Sequence, residues 1–114
     1  MPPLILIVDD ESTIRDVLGA LLTDEGYRVR CAADGEEALD FMVLVDPDVV
    51  VCDIRMPRMH GLTLVERVRA RGVQVPIILI STWTPPPLPG VRFIRKPFDL
   101  DDITKAVAES LAAG

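Results

Sequence analysis

Three aspartates, a hydroxyl and a lysine stand at the ends of apolar runs in this chain. Asp9 and Asp10, followed by Glu11, come directly after the run Leu4 to Val8, and Asp53 follows Val49 to Cys52. Ser81 and Thr82 follow Pro76 to Ile80, and Lys96 follows Arg92-Phe93-Ile94-Arg95. If these runs are strands of one parallel sheet, their carboxyl ends share a single crevice, which is where ligands of open α/β sheets bind. Two carboxylates ~4 Å apart repel by about 4 kcal/mol at an effective dielectric of about 20. Three cost more than one lysine offsets, so the cluster calls for a proton or a cation. Carboxylate, carbonyl and water ligands suit Mg²⁺, which takes one or two carboxylates together with a phosphate oxygen. A single Asp after a strand reads equally well as a helix cap. The gathering of all of them is what points to a binding crevice that suits Mg²⁺.

Other chemistries find little support. No Gly-rich loop follows the first strand, so dinucleotide and P-loop binding are not expected. His60, the one histidine, has no metal-ligand partner at helical spacing and reads as a solvated loop residue. Ser81 lacks the glycines of a nucleophile elbow. Cys31 and Cys52 lie in apolar strand-like runs without metal-type spacing and read as two buried thiols. Net charge is -6, from 12 basic and 18 acidic residues. Direct nucleic-acid binding is therefore not expected, since such proteins present a basic patch or stripe.

The elements that must position this cluster are readable from periodicity. Leu4 to Val8, Val49 to Cys52 and Pro76 to Ile80 are continuous apolar runs, as central parallel strands covered on both faces require. Arg28-Val29-Arg30-Cys31 and Arg92-Phe93-Ile94-Arg95 carry charge, which suits edge strands. Ile14, Val17, Leu18, Leu21 and Leu22 form one helical stripe, ended by Gly26. Asp34, with Glu37 three residues on, caps a second helix that stops before Pro47. Leu64, Val65 and Val68 mark a third, ended by Gly72. Asp99 caps the last, whose buried face carries Leu100, Ile103, Val107 and Leu111. This alternation predicts a doubly wound, flavodoxin-like α/β fold with a five-stranded parallel sheet in the order 2-1-3-4-5. That order puts the two charged strands at the edges.

With the motifs in place, the chain resembles the receiver domains of response regulators in bacterial two-component systems, over essentially its whole length. Val8-Asp9-Asp10-Glu11 with Ser12-Thr13-Ile14-Arg15 resembles the family's acidic pair and first-helix start. Asp53-Ile54-Arg55-Met56-Pro57-Arg58-Met59-His60-Gly61-Leu62 is similar to the signature around the phosphoacceptor. Ser81 and Lys96-Pro97-Phe98 match the hydroxyl and lysine-proline positions. The resemblance implies that Asp53 accepts the phosphoryl group. It implies that Asp10 ligates Mg²⁺ directly, Asp9 mainly through water, and Arg55 through its backbone carbonyl. It implies that Ser81 and Lys96 meet the phosphoryl oxygens, that Lys96–Pro97 is cis, and that Phe93, three residues before the lysine, is the aromatic switch residue, with Ser81 as the other switch residue. Phe93 taken by itself reads as well as an edge-strand core residue.

The implied activity is a phosphorylation-dependent switch. It takes its phosphoryl group from a histidine kinase or phosphotransfer protein, loses it by slow self-hydrolysis, and acts on a downstream output protein or domain. Such a chain is no enzyme in the usual sense, because its own side chain is consumed and regenerated. The alternative is a receiver-like interaction module that works without phosphorylation.

The 114 residues, 49% hydrophobic, suffice for one domain, 1–114. No apolar run approaches a membrane span of ~20 residues, and the start lacks signal-peptide features. The expected location is the cytoplasm, away from the membrane.

Two departures from the family pattern stand out. Thr82 and the bulky Trp83 follow the hydroxyl position. Between Ser81 and Val91, four of nine residues are proline: Pro85, Pro86, Pro87 and Pro89. A crossover with its helix needs at least ~10–12 residues, and proline denies a helix interior its N–H. The fourth helix of the family fold is thus predicted absent or much reduced, with an extended connector in its place. The apolar surface so uncovered would draw a non-standard partner, such as a second copy in a homodimer.

Overall fold

The three continuous apolar runs form the buried centre of a five-stranded parallel sheet. The computed structural model describes residues 1–113. The strands are β1 (Leu4–Val8), β2 (Arg28–Ala32), β3 (Val49–Asp53), β4 (Ile77–Ser81) and β5 (Val91–Arg95). They lie in the order β2-β1-β3-β4-β5, all pairs parallel. Every residue of β1, β3 and β4 is buried, while the edge strands are only partly buried and leave their arginines exposed. The helices are α1 (Ser12–Asp24), α2 (Gly35–Leu44), α3 (Gly61–Ala70) and α4 (Leu100–Ala113). The strands' alternate side chains feed two cores. Leu6, Val50, Ile77 and Leu79 pack with α2 and α3 on one face, and Ile5, Val49, Val51 and Ile78 pack with α1 and α4 on the other.

The predicted punctuation holds in most places. Asp34 caps α2 by accepting the Glu37 N–H at 2.9 Å. Gly26 and Gly72 follow α1 and α3 with φ of +93° and +78°, the left-handed region that glycine enters without a Cβ clash. Four details differ. Val17 and Leu100 point to solvent, because the buried stripes of α1 and α4 narrow to Leu18–Leu22 and Ile103–Val107. Cys31 is exposed because its edge strand has one open face, and only Cys52 is a buried thiol. The start of α4 is closed in reverse: the Asp102 carboxylate accepts the Asp99 N–H at 2.9 Å.

Between β4 and β5 there is no helix. Residues 82–88 have no regular structure beyond a bend, and a turn at Pro89–Gly90 leads into β5. Pro85 is buried and Leu88 packs on the α2/α3 core. Arg69 holds the connector to the end of α3. Its guanidinium donates to the carbonyls of Val73 and Val75 at 3.0 and 2.8 Å and reaches those of Pro89 and Gly90 at 3.5 and 3.4 Å. Burial lowers the Arg69 pKa from its ordinary value.

Candidate functional site

The parallel sheet brings the chemistry-bearing residues to one edge because each ends a strand or directly follows one. Asp53 is the last residue of β3, and its carboxylate is buried, with 5% of the residue exposed. One oxygen, Oδ2, lies 3.4 Å from Lys96 Nζ, and the other, Oδ1, accepts the Arg55 backbone N–H at 3.3 Å. Asp9 is buried beside it, its Oδ1 accepting the Glu11 N–H at 2.9 Å, while Asp10 is exposed. Neither aspartate caps α1: Glu11 occupies the cap position without a side-chain bond. Each of Asp9, Asp10 and Asp53 offers a carboxylate oxygen within 4.8 Å of the others.

The electrostatics follow from that crowding. Burial raises the Asp9 pKa, and the charges of Asp53 and Asp10 push it further the same way. The Glu11 N–H and Lys96 oppose them. Against three carboxylates the site sets one ammonium, itself partly exposed. The fit to a divalent cation is therefore good: hard oxygen donors, close spacing, and a negative charge that the protein's own groups leave uncompensated.

Ser81 ends β4, buried, with its Oγ accepting the Trp83 N–H at 3.1 Å. That places the exposed indole's backbone directly behind the hydroxyl. The Lys96 N–H donates to the Ser81 carbonyl at 2.8 Å, tying the two strand ends together. The Lys96–Pro97 peptide is cis, as expected. Phe93 is half-buried against the α2/α3 core, two strands from Asp53. The Arg55 side chain is exposed and meets none of the cluster, which leaves its backbone as the part near Asp53.

The loop after Asp53 is locked in ways that sequence reasoning passed over. The Gly61 N–H donates to the Ile54 carbonyl at 2.8 Å, and a Cβ at Gly61 would lie 2.8 Å from the Ile54 Cα and 3.1 Å from the Asp53 carbonyl oxygen. Arg58, with φ +66°, turns its guanidinium onto the buried Asp34 carboxylate. The Glu37 N–H and then Arg58 hold the Asp34 pKa below the ordinary range, against its burial. Met59 lies against Gly35, where a Cβ would meet its sulfur at 2.7 Å. Gly35 follows the cap Asp34, and Gly61 follows His60, which caps α3 by accepting the Leu62 N–H on its Nδ1 at 3.2 Å; the glycines themselves were the only sequence signals of this close packing. Cys52, one residue before Asp53, is fully buried, which pushes its thiol pKa up and keeps it out of the chemistry.

Comparison with known proteins agrees with this geometry. The family model described as the response regulator receiver domain matches residues 5–108. Regulatory protein AtoC of Escherichia coli (strain K12) is 34% identical over 114 residues, covering 94% of this chain and 25% of that protein. Transcriptional regulatory protein DltR of Streptococcus agalactiae serotype III (strain NEM316) is 35% identical over 106 residues, covering 87% and 47%. The chain thus spans from about a quarter to about half of these curated relatives. Among solved structures, the chemotaxis response regulator CheY4 of Vibrio cholerae superposes with a TM-score of 0.89 at 32% identity, covering 97% of this chain and 100% of that one. The response regulator TrrA of Thermotoga maritima, solved in complex with Mg²⁺ and BeF, has a TM-score of 0.86 at 32% identity, covering 96% and 99%. Among the described residues, no helix is long and apolar enough to cross a membrane.

Proposed function

Because the chain belongs to the family of response regulator receiver domains, we propose that it is a phosphorylation-dependent signalling switch. In this reading Asp53 takes a phosphoryl group from the phosphohistidine of a histidine kinase or phosphotransfer protein in the cytoplasm. The observation that carries it is the buried Asp53 carboxylate, flanked by two further carboxylates within 4.8 Å and by Lys96 at 3.4 Å. An Asp53 oxygen attacks phosphorus, the P–O bond forms as the P–N bond to the donor imidazole breaks, and the imidazole leaves with the bonding pair. Phosphoryl transfer has a loose transition state, so positioning and charge stabilisation do most of the catalytic work. Arg55 N–H and Lys96 hold the two carboxylate oxygens in place. Lys96 also offsets charge on the phosphoryl oxygens, and the Ser81 hydroxyl donates to one of them. Asp10, Asp9, Asp53 and the Arg55 carbonyl would hold Mg²⁺, which supplies the remaining positive charge when bound. TrrA, solved with that ion, supports this assignment. The adduct adds a phosphate's charge and acceptor oxygens at the end of β3. Ser81 shifts toward it, and Phe93, next in the sheet beyond β4, follows. The changed β4–β5 surface is what an output partner reads. Hydrolysis of the acyl phosphate regenerates Asp53, so the chain is a phosphoacceptor rather than an enzyme acting on external substrates.

Mg²⁺ should bind without phosphate, at millimolar or lower concentration, because it relieves the repulsion among the carboxylates. Calorimetric titration should give saturable binding, and Trp83 fluorescence should report it through the Trp83–Ser81 hydrogen bond. Asp10→Ala is expected to weaken the affinity by about tenfold or more, equivalent to roughly 1.4 kcal/mol. An unchanged affinity in that variant would remove Asp10 from the ligand set.

Trp83 is expected to prolong the phosphorylated state by restricting water at the acyl phosphate. Comparison of phosphoryl half-lives should show Trp83→Ala decaying several-fold faster than the wild type. An equal or longer half-life in the variant contradicts the shielding role.

A further inference from the structure

Residues 55–60 form a loop closed at its base, where the Gly61 N–H donates to the Ile54 carbonyl at 2.8 Å. Arg55 stands at the start of that loop, with its N–H on Asp53 Oδ1 at 3.3 Å. Its carbonyl is the group that the proposed switch assigns to Mg²⁺. Among the described residues nothing donates to that carbonyl, so the path of the loop sets its direction. Two contacts fix the far side of the loop. Met59 is buried, with its side chain against Gly35. Arg58 places its guanidinium on Oδ2 of Asp34, whose Oδ1 accepts the Glu37 N–H at the start of α2. Among the described residues this is the one polar contact from residues 55–60 to another helix or strand apart from α3.

The backbone of Arg58 shows that this contact is more than a surface ion pair. Its φ is +66°, and among the described residues it is the one non-glycine in the left-handed region. Glycine, asparagine and aspartate are the usual occupants of that region. A long charged residue held there is strained, and such strain persists only where the surroundings impose it. The Asp34 side chain is 5% exposed and the Arg58 side chain 67%. Solvent screens a pair so open on one side, so it contributes little to overall stability. Its consequence is local. We propose that the Arg58–Asp34 pair is a positioning clamp, which ties the loop to the start of α2 and so holds the Arg55 carbonyl in the direction that Mg²⁺ requires. The clamp rests on the proposed switch, which gives that carbonyl its work. Neither residue is among the groups that meet Asp53, so both act through the backbone between Arg55 and Arg58.

Calorimetric titration of the full chain with Mg²⁺ tests this. Arg58→Asn removes the guanidinium and keeps a residue that tolerates the left-handed region. Its position is exposed, so the fold should persist. Asp34→Asn removes the charge and keeps an oxygen for the Glu37 N–H, since asparagine caps a helix as well as aspartate does. Each variant is expected to bind Mg²⁺ about tenfold more weakly, the lower end of the usual loss when a group that orients a metal ligand is removed. The double variant should be no weaker than either single one, because the two residues act as a unit. Arg58→Lys keeps the charge and should stay close to wild type, and all the melting temperatures should stay near the wild-type value. Labelling of Arg58→Asn by acetyl phosphate should slow at limiting Mg²⁺ and recover at saturating Mg²⁺, which general loosening of the fold would not produce. Wild-type affinity in both single variants overturns the clamp. So do losses that add in the double variant, or slow labelling that saturating Mg²⁺ leaves slow. A wild type that binds Mg²⁺ yet takes up no phosphoryl group removes the switch, and the affinities alone then decide the clamp. A wild type that binds no Mg²⁺ removes both.

Discussion

The Asp53→Asn variant is expected to take up no phosphoryl group from acetyl phosphate or from a phosphorylated histidine kinase, where the wild type takes up one. The amide preserves the shape of the side chain and its contact with the Arg55 N–H, so the loss isolates the nucleophilic carboxylate. No other carboxylate can substitute without cost. Asp10 is exposed and lies beyond the end of β1, and the Asp9 pKa is raised by burial, which disfavours its charged form. Intact-mass measurement on both proteins reads the outcome. Equal labelling of the variant would falsify the assignment of Asp53.

Gly61→Ala should destabilise the domain by about 1–3 kcal/mol, the usual cost of forcing an extra carbon into a close-packed site. For a domain of this size that corresponds to a melting temperature lower by roughly 4 °C or more. The added Cβ meets backbone rather than a flexible side chain, at 2.8 Å from the Ile54 Cα. Relief therefore requires the end of β3 to shift, and Asp53 shifts with it. The same variant should accept phosphate more slowly than its stability alone explains, when assayed well below its melting temperature. Thermal denaturation and a labelling time course check the two parts. A variant with wild-type melting and wild-type labelling would show that the loop gives way elsewhere and that Gly61 does not position the acceptor.

Much of the site was legible because it obeys a topological rule. Apolar runs covered on both faces have to be central strands, and strands of one parallel sheet end together, so Asp9, Asp53, Ser81 and Lys96 could be gathered before any coordinate was known. The missing connector helix was legible from length and proline count, both of which act locally. What escaped notice depends on contacts between distant segments. Asp34 was identifiable as a cap, but its pairing with Arg58 joins residues 24 positions apart and has no local signature. Arg69 likewise has no local signature, because the four carbonyls its guanidinium reaches belong to the segments that follow α3. Val17, Leu100 and Cys31 were misplaced for a related reason. Periodicity shows which side of an element is apolar, whereas the width of the buried stripe depends on what packs against it. A resemblance to receivers supplied roles for Arg55 and Phe93 that neither periodicity nor spacing carried.

The most direct test of the central claim is the intact mass of the wild-type chain after incubation with acetyl phosphate, with Mg²⁺ present in one sample and chelated in the other. The proposed function predicts the addition of one phosphoryl group in the first sample, removed again on standing as the acyl phosphate hydrolyses, and little or none in the second. A mass that stays unchanged with Mg²⁺, both for acetyl phosphate and for a phosphorylated histidine kinase, would contradict it and leave a receiver fold that engages its partners without phosphorylation.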